Sequence, residues 1–294
     1  YCFSMAVKTD GTMWVWGQGN DGALGLGNSN QYSSPKQLGA LTTWKAPFGG
    51  NHWATATKTD GTLWSWGGNQ FGQLGNGNRT YYSSPRQIGA LTNWLSVSCG
   101  YQHFNIALKT DGTLWAWGGN LFGALGTSNL TYYSSPKQIG SLTTWSSVAG
   151  GYTYTGALKT DGTLWTWGRN NYGQLGLNNS TYYSSPKQVG SLTTWVSVSC
   201  MAYSSMAIKT DGTLWAWGQG NVGQLGLGNT LTYSSPKQVG ALTNWSKISN
   251  GLFWTNGAIK TDGTLWMWGY GLYGTLGLGN TTSYSSPKQV GALT

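Results

Sequence analysis

The sequence predicts an all-β fold, a β-propeller of six four-stranded blades of about 50 residues each. Two observations lead there. One phrase, KTDGTMWVWG from Lys8, returns with small changes from Lys58, Lys109, Lys159, Lys209 and Lys260, at spacings of 50, 51, 50, 50 and 51 residues. A fixed period of that size marks one supersecondary unit that cannot bury its apolar face alone and stacks on its neighbours. Within each unit the apolar pattern is that of short strands between Gly, Pro and Asn turns, with no helical periodicity.

The copy from Leu91 to Gly140 shows each element in turn. T-N-W-L-S-V-S-C-G carries β-branched and aromatic residues and stops at glycine, so it reads as a first strand. F-N-I-A-L-K-T is the second. Asp111-Gly112 then separates it from T-L-W-A-W-G, and an Asp-Gly pair between two strand-like runs is a hairpin signal. In that third strand Trp115 and Trp117 share one face while Leu114 and Ala116 take the other, so both faces are apolar and suit a sheet sandwiched between sheets. A Gly-rich loop follows. S-S-P-K-Q-I-G is the fourth strand, placed at an edge because Pro136 has no N–H to donate. The first copy lacks its T-x-W strand and the last stops before one would begin. Either a ring closes one strand short or further chain supplies the strand; a seven-bladed ring lacking one unit is the alternative arrangement. Units sharing one stacked core make residues 1–294 a single domain on this reading.

Composition narrows the functions. Twelve of the nineteen Trp belong to the W-x-W pairs and five to T-x-W, which points to packing, with Trp stacking expected between blades. There is no Glu, and six of the seven Asp are the Asp of KTDG. The net charge of +9 comes mostly from one repeated position, Lys36, Arg86, Lys137, Lys187, Lys237 and Lys288, plus a few unrepeated cations. Cys2, Cys99 and Cys200 are odd in number and out of frame, so free thiols are expected. No run approaches the length of a membrane-spanning helix.

The run A-L-K-T-D-G-T-L-W-A-W-G-x-N-x-x-G-x-L-G at Ala107 to Gly126 resembles the repeat of the regulator-of-chromosome-condensation family, and it recurs along essentially the whole chain. The resemblance implies a β-propeller of such units, most often seven-bladed. Relatives of this kind include a nucleotide-exchange factor for a small GTPase, a plant UV-B photoreceptor and protein inhibitors of β-lactamase, so the scaffold does not dictate the function. The exchange factor carries an inserted wedge that no copy here has. The photoreceptor pairs Trp clusters with Arg and acidic residues, and this chain has three Arg and one Asp outside KTDG. The regular copies and the Ser/Thr/Asn/Tyr/Trp-rich surface resemble repeat proteins of microbes and phage virions.

No catalytic or metal constellation stands out. Paired carboxylates, C-x-x-C, H-x-x-x-H and phosphate loops are absent, and His52 and His103 are the only histidines. The chain reads as no enzyme and needs no cofactor. The copies differ most in the loop before the second strand, expected around one mouth of the propeller. Tyr1, Phe3, His52, Trp53, Tyr101, His103, Phe104, Tyr152, Tyr154, Tyr203, Phe253 and Trp254 are the candidate ligand contacts there. Rigid aromatics beside adaptable polar groups suit recognition of a glycan or a protein. A second variable stretch, after W-x-W-G, reads as packing because Phe71, Phe122, Tyr172 and Tyr273 recur at one position. The six S-S-P-[KR] cations are a candidate polyanion contact, although Pro and Lys also protect an edge strand. Evenly spread charge makes nucleic acid an unexpected partner. The expected function is a noncatalytic recognition or structural module on a virion or cell surface. The alternatives are an intracellular protein-interaction scaffold associated with chromatin or a GTPase, and a hydrolase or lyase, which the shortage of carboxylates and His disfavours. Oligomeric state has no signal in the sequence.

Overall fold

A computed structural model of the chain describes residues 3–251 and 254–291. It divides into two compact units, Tyr1–Val148 and Ala149–Thr294. The strands of unit 1 are β1 (Phe3–Val7), β2 (Met13–Gly17), β3 (Tyr32–Gln37), β4 (Trp44–Gly49), β5 (Trp53–Lys58), β6 (Leu63–Gly67), β7 (Tyr82–Gln87), β8 (Trp94–Gly100), β9 (Phe104–Lys109), β10 (Leu114–Gly118) and β11 (Tyr133–Gln138). Next comes β12 (Trp145–Gly150), in which the division falls. The strands of unit 2 continue with β13 (Tyr154–Lys159), β14 (Leu164–Gly168), β15 (Tyr183–Gln188), β16 (Trp195–Cys200), β17 (Ser204–Lys209), β18 (Leu214–Gly218), β19 (Tyr233–Gln238), β20 (Trp245–Asn250), β21 (Thr255–Lys260), β22 (Leu265–Gly269) and β23 (Tyr284–Gln289).

Each repeat is one antiparallel sheet whose strands pair in sequence order, a blade. Five sheets have four strands and the first has three, β1-β2-β3, as the missing T-x-W phrase implied. The Pro-bearing strand lies at an edge in every sheet. The second strands β5 and β9 are buried along their whole length, which explains their two apolar faces. Within unit 1, β5 lies against β8; within unit 2, β13 lies against β16 and β17 against β20. Helix is confined, among the described residues, to three single 3₁₀ turns in the Gly-rich loops, such as Leu121–Gly123.

The KTDG phrase is a closed hydrogen-bond unit. Asp111 Oδ1 accepts the Thr113 N–H at 2.9 Å and its hydroxyl at 2.6 Å, and Trp115 Nε1 donates to Thr113 Oγ1 at 2.9 Å. The same relay recurs at all six copies. These bonds hold all six carboxyls below the usual Asp value, the Thr hydroxyl being the largest cause and the Thr N–H the next. The lysine of the phrase turns to the indoles. Lys109 Nζ lies 3.8 Å from the Trp115 ring centroid and 4.9 Å from that of Trp94, and burial lowers its pKa.

The tryptophans act differently from the expected stacking between blades. Within a blade they meet edge to face: Trp94 lies 6.2 Å from Trp115 and 6.0 Å from Trp117. Between blades the second Trp of W-x-W is a hydrogen-bond donor. Trp66 Nε1 donates to Ala23 O and Trp117 Nε1 to Gln73 O, each at 2.9 Å, in unit 1. Trp217 Nε1 donates to Gln174 O at 2.9 Å and Trp268 Nε1 to Gln224 O at 3.1 Å in unit 2. The indole fits because the neighbouring residue is glycine. A Cβ on Gly75 would stand 2.8 Å from Trp117 Nε1, and its φ is +72°.

Two outcomes test this account. Gly75→Ala combines a left-handed backbone, costing about 1–2 kcal/mol, with overpacking of about 1–3 kcal/mol. Gly89→Ala has a φ of +61° with nothing within 4 Å of the new Cβ, so it carries the backbone cost alone. Equal losses in urea unfolding would disprove the indole seat. The depressed Asp values mean that the folded chain holds fewer protons than the unfolded one near and below the usual value of 3.8. Their stabilisation is complete above that pH and is lost as pH falls through the folded values. In Thr113→Val the Asp111 carboxyl is expected to titrate at higher pH than in wild type by carbon-detected NMR.

Candidate interaction surface

Strands alternate in direction, so the link from first to second strand and the link from third to fourth leave each blade at the same end. The Asp-Gly turns lie at the opposite end. The two variable loops therefore share one end of every blade, and within each unit they meet across seams between consecutive blades.

In unit 1, His52 precedes β5 and its Nδ1 stands 3.3 Å from Oδ2 of Asp21, in the loop after β2. One seam further, His103 precedes β9 and stacks 4.8 Å from Phe71, in the loop after β6, and 5.3 Å from Trp53. Gln73 Nε2 lies 3.5 Å from His103 Nδ1, and Tyr132 borders Phe71 at 5.8 Å. Burial lowers the His103 pKa, and the charge of His52 lowers it further. Its φ of 62° is unusual for a residue with a side chain, and Trp254 repeats it at the equivalent position with 60°.

In unit 2 the seam between β12–β15 and β16–β19 is lined by tyrosine. Tyr203, before β17, lies 5.4 Å from Tyr152 and 5.2 Å from Tyr172, and the Arg169 guanidinium sits over its ring at 5.4 Å. Burial, and then the neighbouring Tyr152, raise the Tyr203 pKa. Trp254 packs edge to face on Tyr270 at 6.1 Å.

The twelve candidate contacts separate on this geometry. Trp53, Phe104 and Tyr154 have no exposed surface and are packing residues, a correction to their expected role. Each begins the second strand of its blade, where both faces are covered. Trp53 Nε1 donates to Asn105 Oδ1 at 3.3 Å. The Tyr154 hydroxyl donates to Ser204 O at 2.5 Å and accepts the Met201 N–H at 3.0 Å. Phe3, His52, Tyr101, His103, Tyr152, Tyr203 and Trp254 keep part of their surface in solvent. Phe3 and Met5 pack against the core that the first blade shares with the second, which includes Met13, Val15, Trp44 and Trp66. Tyr1 and Phe253 lie outside the described residues. Sequence reasoning missed Asp21 and Phe71 at the seams of unit 1, and Arg169 and Tyr172 at the seam of unit 2, because it treated the loop after W-x-W-G as separate packing.

The six edge-strand cations are all exposed. Five rest over the tyrosine four residues earlier on the same strand face, for example Arg86 over Tyr82 at 5.1 Å and Lys187 over Tyr183 at 5.4 Å. Burial pushes the Cys99 and Cys200 thiols up to about 12, so neither is a thiolate near neutral pH. Among the described residues no group of three or more His, Cys, Asp or Glu could hold a metal ion, and no helix is long and apolar enough to cross a membrane.

A propeller scaffold with six copies of one blade and variable loops at one end defines the class. The regulator of chromosome condensation (RCC1) repeat matches residues 10–54, 60–104, 111–158, 161–208, 211–253 and 262–294, and a second model of the same repeat matches 94–124, 145–174 and 195–224. The chain belongs to the RCC1 repeat family. Among solved structures it is similar to human WBSCR16, with a TM-score of 0.86 and 23% identity over 99% of this chain and 79% of that one. It is also similar to Prp20p of Saccharomyces cerevisiae, described with its binding to Gsp1p and histones, with a TM-score of 0.83 and 19% identity over 98% and 74% of the two chains. Yeast RCC1 (Prp20) bound to Kap60 matches with a TM-score of 0.84 and 19% identity over 98% and 72%. These likenesses show the fold, an all-β propeller of repeated blades.

The low pKa of His103 has a sign that can be measured. The unfolded chain takes up a proton near the ordinary value of 6.5, whereas the folded chain resists it. Stability is therefore expected to fall as pH drops below that value, towards the folded pKa. Thermal unfolding of wild type and His103→Gln at neutral and mildly acidic pH checks it: an unchanged acid sensitivity in the variant would remove His103 as its cause.

Proposed function

We propose that this chain is a noncatalytic protein-interaction scaffold, with the paired variable loops at one end of its blades as the contact surface. The observation that carries the reading is the seam arrangement. A nearly identical framework presents a different pair of side chains at each described seam: His52 with Asp21, His103 with Phe71, Tyr203 with Tyr172. Variation confined to one end of a repeated scaffold is how binding surfaces are built on folds whose framework is set by packing. Tyr, Trp and Arg are the side chains that dominate protein interfaces. The protein partners named for Prp20p and yeast RCC1, namely Gsp1p, histones and Kap60, support a protein partner over a glycan. With that partner class, the cell interior becomes the preferred setting over a virion or cell surface. A single chain-wide polyanion site is a weaker reading, because five of the edge cations already rest on their own tyrosines.

The test is a selection of phage-displayed dodecapeptides on the folded chain, run beside a glycan array. Peptides whose binding drops in Tyr203→Ala or His52→Ala variants that remain folded would support the scaffold. Glycan binding without peptide binding, or peptides indifferent to both substitutions, would overturn it.

A further inference from the structure

The two units carry different chemistry at the end that bears the variable loops. In unit 1 a carboxylate is present there, Asp21, and it faces His52 at 3.3 Å. In unit 2 the loops at that end contain one charged residue, Arg169. The three Asp of residues 149–294, Asp161, Asp211 and Asp262, all close Asp-Gly turns at the far end. Lys209 and Lys260 stand over indoles beside those turns, and Lys187 and Lys237 lie on edge strands opposite Thr166 and Ala216. Eight basic residues stand against three acidic ones in this stretch. An anion approaching these loops therefore meets no like charge from them and is drawn by the field of the whole unit.

The side chains around Arg169 are already placed. Its guanidinium lies over Tyr203, and Tyr203 is wedged between Tyr152 and Tyr172. All four residues remain partly exposed. A guanidinium fork matches a carboxylate in two parallel hydrogen bonds, and a tyrosine wall supplies apolar contact at low cost in side-chain entropy. Holding the cation over a ring before binding reduces what must be ordered on association.

We propose that the seam of Tyr152, Tyr172, Tyr203 and Arg169 anchors an acidic peptide segment of a protein partner. A carboxylate of the segment meets Arg169, and an adjacent apolar side chain lies against the tyrosines. The proposal rests on the scaffold reading and narrows it to one seam and one partner chemistry. In unit 1 the loops at that end hold one charge of each sign, Asp21 and Arg79, and the seam of Asp21 and His52 discriminates against the same segment through the Asp21 carboxylate.

The same peptide selection tests it with separate readouts. Selected peptides are expected to be enriched in Asp and Glu over the starting library. Arg169→Gln is expected to weaken them about tenfold or more, as for truncation of one partner in a charge pair. Tyr172→Ser, a loop change outside the strands, should weaken them as well. Lys187→Gln removes the same charge from an edge strand of unit 2 and should leave affinity within about twofold. Selected peptides that are neutral or basic would overturn the proposal. So would equal losses in Lys187→Gln and Arg169→Gln, which would mark non-specific attraction. If binding is lost only in His52→Ala, the scaffold reading stands and this inference fails. If no peptide is selected, both fail. Circular dichroism and thermal unfolding of each variant confirm that a loss is not one of folding.

Discussion

The fold depends on one hydrogen bond repeated from blade to blade, from an indole N–H to a backbone carbonyl of the preceding blade. The carbonyls are those of Ala23, Gln73, Gln174 and Gln224, each two residues before a glycine. In three of these seams the same carbonyl accepts a second donor from the next blade, Asn105 Nδ2, Ser205 Oγ or Asn256 Nδ2. A carbonyl has two lone pairs, so both donors are accommodated without leaving a buried polar atom unmet. Three features of the repeat follow together. Phe in place of the second Trp of W-x-W would lose the donor, and Tyr or His would carry it at a different position from the indole Nε1. The glycine after Leu leaves room for the ring. The donor–acceptor separation of 43 or 44 residues moves in step with the period of 50 or 51.

The same economy explains why the charged residues of the repeat do so little chemistry. Each KTDG carboxylate is already committed to a Thr N–H and hydroxyl, and its lysine to an indole, with Lys58, Lys109, Lys209 and Lys260 each over two. A lysine laid on tryptophan keeps its charge while its stem covers apolar surface. Five of the edge-strand cations likewise rest on tyrosine. Charge is used to finish turns and to shield edges, so any recognition falls to the few residues outside the repeated positions. Asp21 and Arg169 are two of these, and the structure puts them in the two units at the end where the loops vary.

Much of the candidate surface was legible in the sequence. The loop before the second strand was recognised as variable and aromatic. Its division into buried and accessible residues was not, because Trp53 and His52 are neighbours in the chain yet one enters a strand covered on both faces and the other stops short of it. Hydrophobicity alone ranks Trp53, Phe104 and Tyr154 as the best contacts, and burial gives them the opposite role. The joining of the two variable stretches was implicit in the alternation of antiparallel strands. It stayed hidden because partners such as Tyr172 and Tyr203 belong to different copies, whereas Phe71 and Tyr172 look like packing when the copies are compared position by position.

The sequence by itself determined the period, the strand order within a blade, the Asp-Gly hairpin and the edge position of the Pro-bearing strand. These follow from local rules: which residues tolerate positive φ, which lack an N–H, and which side chains alternate. Tertiary structure alone decided what the tryptophans do. Their regular spacing is equally compatible with stacking between blades and with the arrangement found, in which they cluster edge to face within a blade and donate a hydrogen bond between blades. The difference lies in the direction of an indole N–H and in the carbonyl it reaches more than forty residues away, and no local pattern specifies either.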